Sequence, residues 1–543
     1  MKRSTYIWSL LVGCVAFATS CDLTEDVQVK ADKSMIFGSK SGLELYSNSF
    51  YKALPTLKNG FMQDKMCDVG AVSNTDTFIK QGAYNTETAT SWSWGALKNV
   101  NYFIDGCNDP KYCTVEAETR DNYLGIARWF RAWFYYDKLT TYGEVPWFPN
   151  DIQSYQNDVM YKDRDSRDVI IRNLIADLDF AYEHIQATSS TGSATLTRWA
   201  AAALKSRVCL YEGTFRKYHS REPSSDKPWQ AEYNADNKFL REAAAAAKEI
   251  MDKGPYSLVT GDVKTAYRSL FTSAGLLTQE VIFGREYSKE LSAFHETSWY
   301  YYSPTYGAKI AMTKKFMNTY LTTRGTPFTD IDGYQTIDFI REFDGRDARM
   351  AQTVISPTYK MKISGRERLY SPNWKVTRTG YHPIKWSIDD DADNVLSKAA
   401  SWNSLPILRY AEVLLNYAEA KAELGEMDAA VWDQTIALLR SRAGVTPVVP
   451  DKADPYMEAY FLNTVTDKWI LEVRRERGIE LCLEMGLRWD DDMRWHMGDL
   501  LTSDNNPWTG IWIGNTGYTY DFTGQSTDDN GDPVPDFYIR PGE

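Results

Sequence analysis

The feature that most constrains the fold is a series of helical segments that contain runs of alanine. Four alanines run from Ala200 and five from Ala243, in segments whose apolar residues recur every three or four positions. Alanine favours helix and lets two helices approach closely. The pattern therefore predicts closely packed helices, at 43–57, 123–142, 168–185, 197–213, 239–253, 408–424 and 428–443.

These helices are predicted to form stacked pairs, because one pair cannot bury its apolar face alone. Residues 410–420, with the Leu424-Gly425 turn and Ala429-Ala430 after it, resemble a tetratricopeptide repeat. Three pairs are predicted, at 123–185, 197–253 and 408–443. We expect a mainly α fold: a tetratricopeptide-like helix-pair scaffold with a large irregular, loop-rich subdomain that contains short strands.

The composition changes between the helical segments. The intervening stretches are rich in Gly, Pro, Asn, Asp, Ser, Thr and aromatic residues, which is typical of long loops with short strands. The domain from 21 to 543 is thus predicted to combine a scaffold at about 37–58, 100–253 and 404–500 with loop-rich ligand-binding regions at about 60–100, 254–400 and 502–543. The aromatic residues of 129–142, Trp133 among them, lie on a helical stripe and are predicted to be core.

Residues 1–20 are predicted to be a secretory signal peptide. Lys2 and Arg3 precede an uncharged, mostly apolar run from Tyr6 to Phe17, which is too short to span a bilayer. Cys21 follows the small residues 18–20 and is the favoured site of lipid attachment. Cys14, after Leu-Val-Gly, is the alternative, and secretion without a lipid is the third.

The charge and the cysteine pattern exclude several classes of protein. The net charge of −12 argues against nucleic acid as a partner, and cleavage after residue 20 removes two positive charges and brings it to −14. Cys107 and Cys113 are spaced for a small loop disulfide, but unpaired, partly buried thiols fit equally well. With no C-x-x-C pair and five scattered histidines, neither a metal nor a cofactor is predicted.

Four motifs in order resemble the SusD/RagB-like outer-membrane lipoproteins of Bacteroidetes nutrient-uptake systems. They are the Ser-Cys-Asp-Leu junction at 20–23, the helix and turn at 124–147, Pro406–Gly425 with Leu439–Gly444 after it, and Gly-Leu-Arg-Trp-Asp-Asp-Asp-Met-Arg-Trp at 486–495. The last motif departs from the family pattern, with Met485 in place of an acidic residue and Glu480 displaced by one position. The resemblance implies a tetratricopeptide-like scaffold and a cell-surface protein, lipid-anchored in the outer membrane, that captures glycan for a TonB-dependent SusC-like transporter.

The sequence contains none of the common catalytic signatures, such as G-x-S-x-G or H-E-x-x-H. Glu476, Glu480 and Glu484 share one helical face and could in principle serve a glycosidase as acid and base. Arginines at 474, 475, 477 and 488 lie among them, however, which favours structural ion pairs. Asp491 and Arg494 are likewise assigned to the scaffold, so no catalytic residue and no enzyme activity is predicted.

Two loop clusters combine aromatic rings with polar groups, as sugar binding requires. In the resembling family the glycan site is built from loops in these two regions. The candidate glycan-binding residues are Asp68, Asn74, Asp76, Trp92 and Trp94 in the first cluster and Trp299, Tyr301, Tyr302 and Tyr306 in the second. Alternation within 299–302 would equally fit a half-buried strand. A tetratricopeptide adaptor for a polypeptide and a glycoside hydrolase are the alternative functions.

Overall fold

The computed structural model describes residues 33–56, 63–72, 92–153, 155–187, 194–391, 400–502, 504–513, 518–520 and 539–541. Helices dominate this part of the chain, and among its residues no helix is long and apolar enough to cross a membrane. The predicted lipidation site Cys21 and the alternative Cys14 lie outside the described residues. The mainly α fold class predicted from the sequence is confirmed.

The helices of the first half are α1 Lys33–Phe37, α2 Lys40–Ser47, α3 Gly95–Asn108, α4 Ala117–Tyr142, α5 Asn157–Met160, α6 Arg167–His184, α7 Arg198–Tyr218, α8 Ala231–Asn234 and α9 Lys238–Lys253. Those of the second half are α10 Ala266–Thr272, α11 Thr297–Tyr302, α12 Lys314–Met317, α13 Met350–Thr353, α14 Tyr410–Glu423, α15 Ala429–Gln434, α16 Ile436–Arg442, α17 Pro455–Tyr460, α18 Lys468–Glu480 and α19 Leu487–Arg494.

Neighbouring helices form a continuous stack. α3 packs on α4, α4 on α6, α6 on α7 and α7 on α9, and α9 then packs on α14 and α14 on α18. The alanine runs lie where this packing is closest: Ala200, Ala201, Ala243 and Ala247 are fully buried. This is the helix-pair scaffold that the sequence predicts, and it follows from the small side chains at the helix contacts.

Two predicted helices differ from the observed ones. The segment 43–57 is helical only to Ser47, in α2, and continues as a 3₁₀ helix at Asn48–Ala53. The segment 428–443 is divided at Thr435, whose backbone (φ −133°, ψ −90°) leaves the helical region. The Thr435 hydroxyl donates to the Val431 carbonyl at 2.6 Å, an interaction that competes with the helical backbone hydrogen bonds.

The strands are short and pair antiparallel in twos. They are β1 Gly70–Val72, β2 Arg221–Glu222, β3 Lys227–Pro228, β4 Val281–Arg285, β5 Ile310–Met312, β6 Lys360–Ile363, β7 Arg366–Leu369, β8 Leu405–Arg409, β9 Tyr518–Tyr520 and β10 Ile539–Pro541. The pairs are β1 with β5, β2 with β3, β4 with β8, β6 with β7, and β9 with β10. Because β8 leads directly into α14, the β4–β8 pair joins the loop-rich region to the scaffold.

The five cysteines of the described chain are all free thiols, and Cys67, Cys107, Cys209 and Cys482 are buried. The structure therefore shows Cys107 and Cys113 in the unpaired form, one of the two states that the sequence left open.

Candidate functional site

Part of the second aromatic cluster is buried. Residues 299–302 form most of the short helix α11, not a strand, and its last two side chains, Tyr301 and Tyr302, are buried at 1% and 4% exposure. The Tyr302 hydroxyl lies 2.9 Å from the Tyr359 hydroxyl and 3.1 Å from Ser387 Oγ. These contacts hold α11 rigidly on the core.

His382 holds the same helix through a hydrogen bond to its backbone. Its Nε2 lies 2.9 Å from the Tyr301 carbonyl oxygen. Burial lowers the pKa of His382 to about 4, so the imidazole is neutral at pH 7 and donates this hydrogen bond through Nε2–H. The hydrogen bond ties the C-terminal end of α11 to the chain around His382.

The exposed part of this cluster is a stacked pair of rings, Trp299 and Tyr306. Their centroids are 5.9 Å apart with an interplanar angle of 23°. Tyr306 is 69% exposed and Trp299 is half-buried. We call this pair the aromatic platform. It presents apolar ring surface to solvent, which a ligand with an apolar face can cover.

A tight turn brings the two rings of the platform together. The Gly307 N–H donates to the Ser303 carbonyl at 3.1 Å, and the Tyr306 N–H donates to Ser303 Oγ at 3.1 Å. A Cβ atom at Gly307 would lie 2.4 Å from the Ser303 oxygen and 2.6 Å from the Tyr300 oxygen. Only glycine allows this close approach of the backbone.

The aromatic residues of the first cluster line a separate cleft of about 670 Å³ at the start of α3. Trp92 is 42% exposed, and its ring contacts Trp94 edge-on at 5.2 Å. Trp94 is half-buried and packs against Phe148, with centroids 5.3 Å apart. Trp92 thus offers ring surface to the cleft, while Trp94 anchors that part of the chain to α4 and the loop after it.

The other wall of this cleft is formed by residues that were not predicted from the sequence. Tyr161 is 80% exposed, and the Arg164 guanidinium lies 5.5 Å from the centroid of the Trp92 ring. Lys98 Nζ donates to Asp151 at 2.8 Å and to the Ile152 carbonyl at 2.9 Å. The signal in the sequence was the apolar run Val159–Tyr161 within a polar loop. The cleft combines aromatic and charged groups, as sites for polar ring compounds do.

The two clusters approach each other through the β1–β5 pair. Val72, the last described residue before Asn74 and Asp76, is opposite Ile310, four residues after Tyr306. Asn74 and Asp76 themselves lie outside the described residues. Trp92 and Trp94, 20 or more positions further along the chain, lie against Tyr142 and Phe134 of α4 instead.

Asp68 is buried within the fold. Its carboxylate accepts two hydrogen bonds from Arg488, both at 2.7 Å, and one from the Tyr460 hydroxyl at 2.7 Å. The Arg488 guanidinium helps to lower the pKa of Asp68 below its usual value despite burial. Asp68, Tyr301 and Tyr302 have almost no accessible surface, so the function proposed below relies on Trp92, Trp299 and Tyr306.

The glutamates that could have formed a glycosidase pair are held in buried ion pairs. Arg349 bridges Glu476 and Glu480 at 2.6 and 2.8 Å, and Arg409 pairs with both Glu480 and Glu484. The pKa of Glu480 is held well below its usual range by arginines 442, 409 and 349. The glutamates are thus in structural ion pairs, as the sequence favoured, but their partners are arginines from other elements. The arginines at 474, 475, 477 and 488 pair with Glu423, Asp454, Asp491 and Asp68 instead. Asp491 and Arg494 are also paired, at 2.9 Å.

The sequence profile of the SusD family matches residues 279–540. No curated protein matches the sequence. The fold is similar to that of a SusD-like carbohydrate binding protein from Bacteroides fragilis NCTC 9343, which is 21% identical, with a TM-score of 0.67 over 94% of this chain and 95% of that chain.

Two further solved structures share the fold. A SusD-like protein from the same organism is 21% identical, with a TM-score of 0.66 and coverage of 86% of this chain and 88% of that one. A SusD superfamily protein from Parabacteroides distasonis ATCC 8503 is 18% identical, with a TM-score of 0.56 and coverage of 84% and 88%. The resemblance to the SusD/RagB-like family is thereby confirmed: the chain is SusD-like in sequence over 279–540 and in fold over most of its length.

Proposed function

We propose that this chain is a glycan-binding protein without catalytic activity, which captures oligosaccharide on its exposed aromatic rings. The observation that carries the proposal is the aromatic platform: the half-buried Trp299 stacks with the exposed Tyr306, while Tyr301 and Tyr302 of the same segment are buried. A segment built only for packing would bury its rings. The match to the SusD family and the similar fold of a SusD-like carbohydrate binding protein support the same conclusion.

The chemistry of the platform suits a sugar ring. A pyranose has an apolar C–H face, which covers an aromatic ring, and a rim of hydroxyl groups, which need hydrogen-bond partners. The platform is fixed before the ligand arrives because α11 is anchored through Tyr302 and His382. A fixed ring loses little conformational entropy on binding, which favours affinity. Trp92, with Arg164 beside it, provides a second aromatic surface in the cleft.

Within this proposal the protein is anchored at the cell surface by acyl chains on Cys21 and delivers glycan to a TonB-dependent SusC-like transporter in the outer membrane. The support for the anchor is the N-terminal pattern, in which a basic start and an apolar run precede a cysteine. The support for the transporter partner is the match of residues 279–540 to the SusD family.

The test is to incubate a soluble form, residues 22–543, with a panel of oligosaccharides and to follow each sugar by affinity electrophoresis and chromatography. We expect at least one sugar to be retarded and recovered intact. Shortened sugar would show a glycosidase and contradict the absence of catalysis. If no sugar is retarded while a peptide library gives binders, the glycan proposal is wrong and the tetratricopeptide adaptor takes its place.

A further inference from the structure

A second and larger cavity lies on the other side of the segment that carries Trp92 and Trp94. Its volume is about 900 Å³, and its walls come from the 3₁₀ helix at 48–53, the first turn of α3, one face of α4, and α19. Gly95 lines both the cavity and the cleft. Cavities of several hundred Å³ are the usual size of sites for small ligands.

Trp133 on α4 provides the cavity with an aromatic wall. Its ring is half-buried and stacks on Trp129 at 5.4 Å with an interplanar angle of 13°. Trp129 is fully buried, and its Nε1–H donates to the Ala200 carbonyl at 3.1 Å. Trp133, predicted from the sequence as core, therefore has one face fixed against the core and part of its surface open to the cavity.

Two acidic side chains line the same cavity as Trp133. Asp137 is one helical turn after Trp133, on the same side of α4, and is exposed. Asp490, on α19, is half-buried and accepts a hydrogen bond from the Tyr136 hydroxyl at 3.4 Å. Burial and the neighbouring Asp491 raise the pKa of Asp490 to about 7, so near pH 7 this group is a mixture of carboxylate and carboxylic acid. Both forms can accept further hydrogen bonds from a ligand, and so can the carboxyl group of Asp137, which lies 3.5 Å from Lys138 Nζ.

Two other charged groups of the cavity wall, Arg207 and Glu484, are already paired, while Lys52 lies exposed at the same cavity. Arg207 donates two hydrogen bonds of 2.6 Å to Glu412 and one of 2.9 Å to the Ile407 carbonyl. Glu484 accepts from Lys385 at 2.6 Å and from Arg409 at 2.7 and 2.8 Å. These groups shape the wall, and Trp133, Asp137 and Asp490 remain to bind a ligand.

A flat aromatic surface next to hydrogen-bond acceptors matches a ring with an apolar face and several hydroxyl donors. We propose that this cavity is a second sugar-binding site, in which one ring stacks on Trp133 and donates hydroxyl hydrogen bonds to Asp137 and Asp490. The inference rests on the proposed glycan-binding function, and it adds a site that is independent of the aromatic platform and the cleft.

The experiment starts from a variant that lacks the first two surfaces: Trp92→Ala, Trp299→Ala and Tyr306→Ala together. Saturation-transfer NMR measures its binding of glucose, galactose, mannose, xylose and N-acetylglucosamine, with the wild-type protein in parallel. We expect the triple variant to retain binding of at least one sugar. Adding Asp137→Asn and Asp490→Asn should weaken that binding at least tenfold, because two carboxyl groups are replaced by amides that each have a single acceptor oxygen.

Two further variants separate binding from folding. Ala96→Trp adds bulk to the cavity at an exposed position, so it should block the site without removing a core contact. Asp330→Asn is the matched control, because Asp330 is exposed and is not part of the cavity lining. In the triple background, it should leave binding unchanged.

The outcomes distinguish this inference from the proposed function. If the wild-type protein binds sugar and the triple variant binds none, the cavity proposal is wrong and the proposed function stands. The cavity proposal is equally wrong if the aspartate pair and Ala96→Trp leave the residual binding unchanged. If the wild-type protein binds no sugar either in this assay or on the oligosaccharide panel, the cavity proposal and the proposed function are both wrong.

Discussion

Asp64 carries a carboxyl group that is almost completely removed from water. The residue is 1% exposed, and its Oδ1 accepts one hydrogen bond, from the Gly486 N–H at 3.1 Å. Its Oδ2 has no hydrogen-bond partner within the described part of the chain. Burial raises the pKa of Asp64 from 3.8 to about 7. The carboxyl is therefore protonated in the folded protein at pH values where it is ionised in the unfolded chain.

We expect Asp64→Asn to stabilise the protein at neutral and alkaline pH. The raised pKa favours the folded wild-type protein below about pH 4, and this contribution is lost as the pH rises through about 7. The asparagine does not ionise, so its folded state loses no stability as the pH rises. Its side-chain oxygen can still accept the hydrogen bond from the Gly486 N–H. The variant should gain on the wild type by at most about 1.4 kcal/mol per pH unit over that window.

Urea unfolding of both proteins at pH 5 and pH 8 measures this effect. The advantage of Asp64→Asn in the free energy of unfolding should be larger at pH 8. An equal or smaller advantage at pH 8 would show that Asp64 is not a buried neutral acid. Asp330→Asn, at an exposed position, should show no such pH-dependent difference.

Among the elements, α18 is connected to the loop-rich region by buried ion pairs. Glu480, at its C-terminal end, pairs with Arg442 from α16, with Arg409 from β8 and with Arg349 just before α13. All four side chains are at most 2% exposed. Removing one member of such a network leaves the others buried and uncompensated.

We therefore expect Glu480→Gln to lower the free energy of unfolding by about 3–5 kcal/mol at pH 7. Denaturant unfolding followed by circular dichroism gives the value. Because the folded-state pKa of Glu480 lies well below its usual 4.5, the wild-type advantage should persist at neutral pH and shrink as the pH falls below about 4.5. The matched control is Asp226→Asn, in an exposed pair with Arg221, for which a change within about 0.5 kcal/mol is expected. A similar small change in Glu480→Gln would contradict the structural role of the network.

The observed helices show which elements could be predicted from the sequence. Periodicity identified the long helices because their apolar stripes and alanine runs are local signals: the predicted 239–253 is observed as Lys238–Lys253. It did not resolve α11, because six residues contain fewer than two helical turns and the same rings also fit a strand.

The polar residues of the candidate site were harder to place than the helices. Asp68 has the composition of a ligand contact, yet its partner Arg488 is 420 positions away in the sequence. Trp133 lies on a helical stripe whose neighbouring side chains are mostly buried, and only the packing of α3, α4 and α19 opens a cavity beside it. Long-range packing decides such cases, and a pattern of adjacent residues does not contain that information.

For the whole molecule, the proposed function places the membrane anchor at Cys21, ahead of the described residues. The described helices include none that could cross a membrane. The first described helix, α1, is packed on the scaffold: a Cβ at Gly106 of α3 would lie 2.0 Å from the Phe37 ring. Acyl chains on Cys21 would be attached 12 positions before Lys33, the first residue of α1.

We expect Cys21→Ala to release the protein from the membrane or to leave its signal peptide uncleaved. Acyl chains supply the membrane affinity in this proposal, and an alanine cannot accept them. Fractionation of cells after a high-salt wash, with mass spectrometry of the N-terminus, reads out both effects. A processed Cys21→Ala protein that remains with the membrane would contradict lipidation at this residue. Cys14→Ala is the control and should leave anchoring unchanged.

Calorimetric titration of the best oligosaccharide into Trp299→Ala/Tyr306→Ala shows whether the aromatic platform binds sugar. Loss of aromatic contacts at a binding hot spot costs about 2 kcal/mol or more, so affinity should fall at least thirtyfold while the melting temperature stays unchanged. Tyr302→Ala, in the buried part of the second aromatic cluster, should lower the melting temperature by removing about 3–5 kcal/mol of stability. Wild-type affinity in the double variant, or melting as early as that of Tyr302→Ala, would contradict sugar binding by the platform.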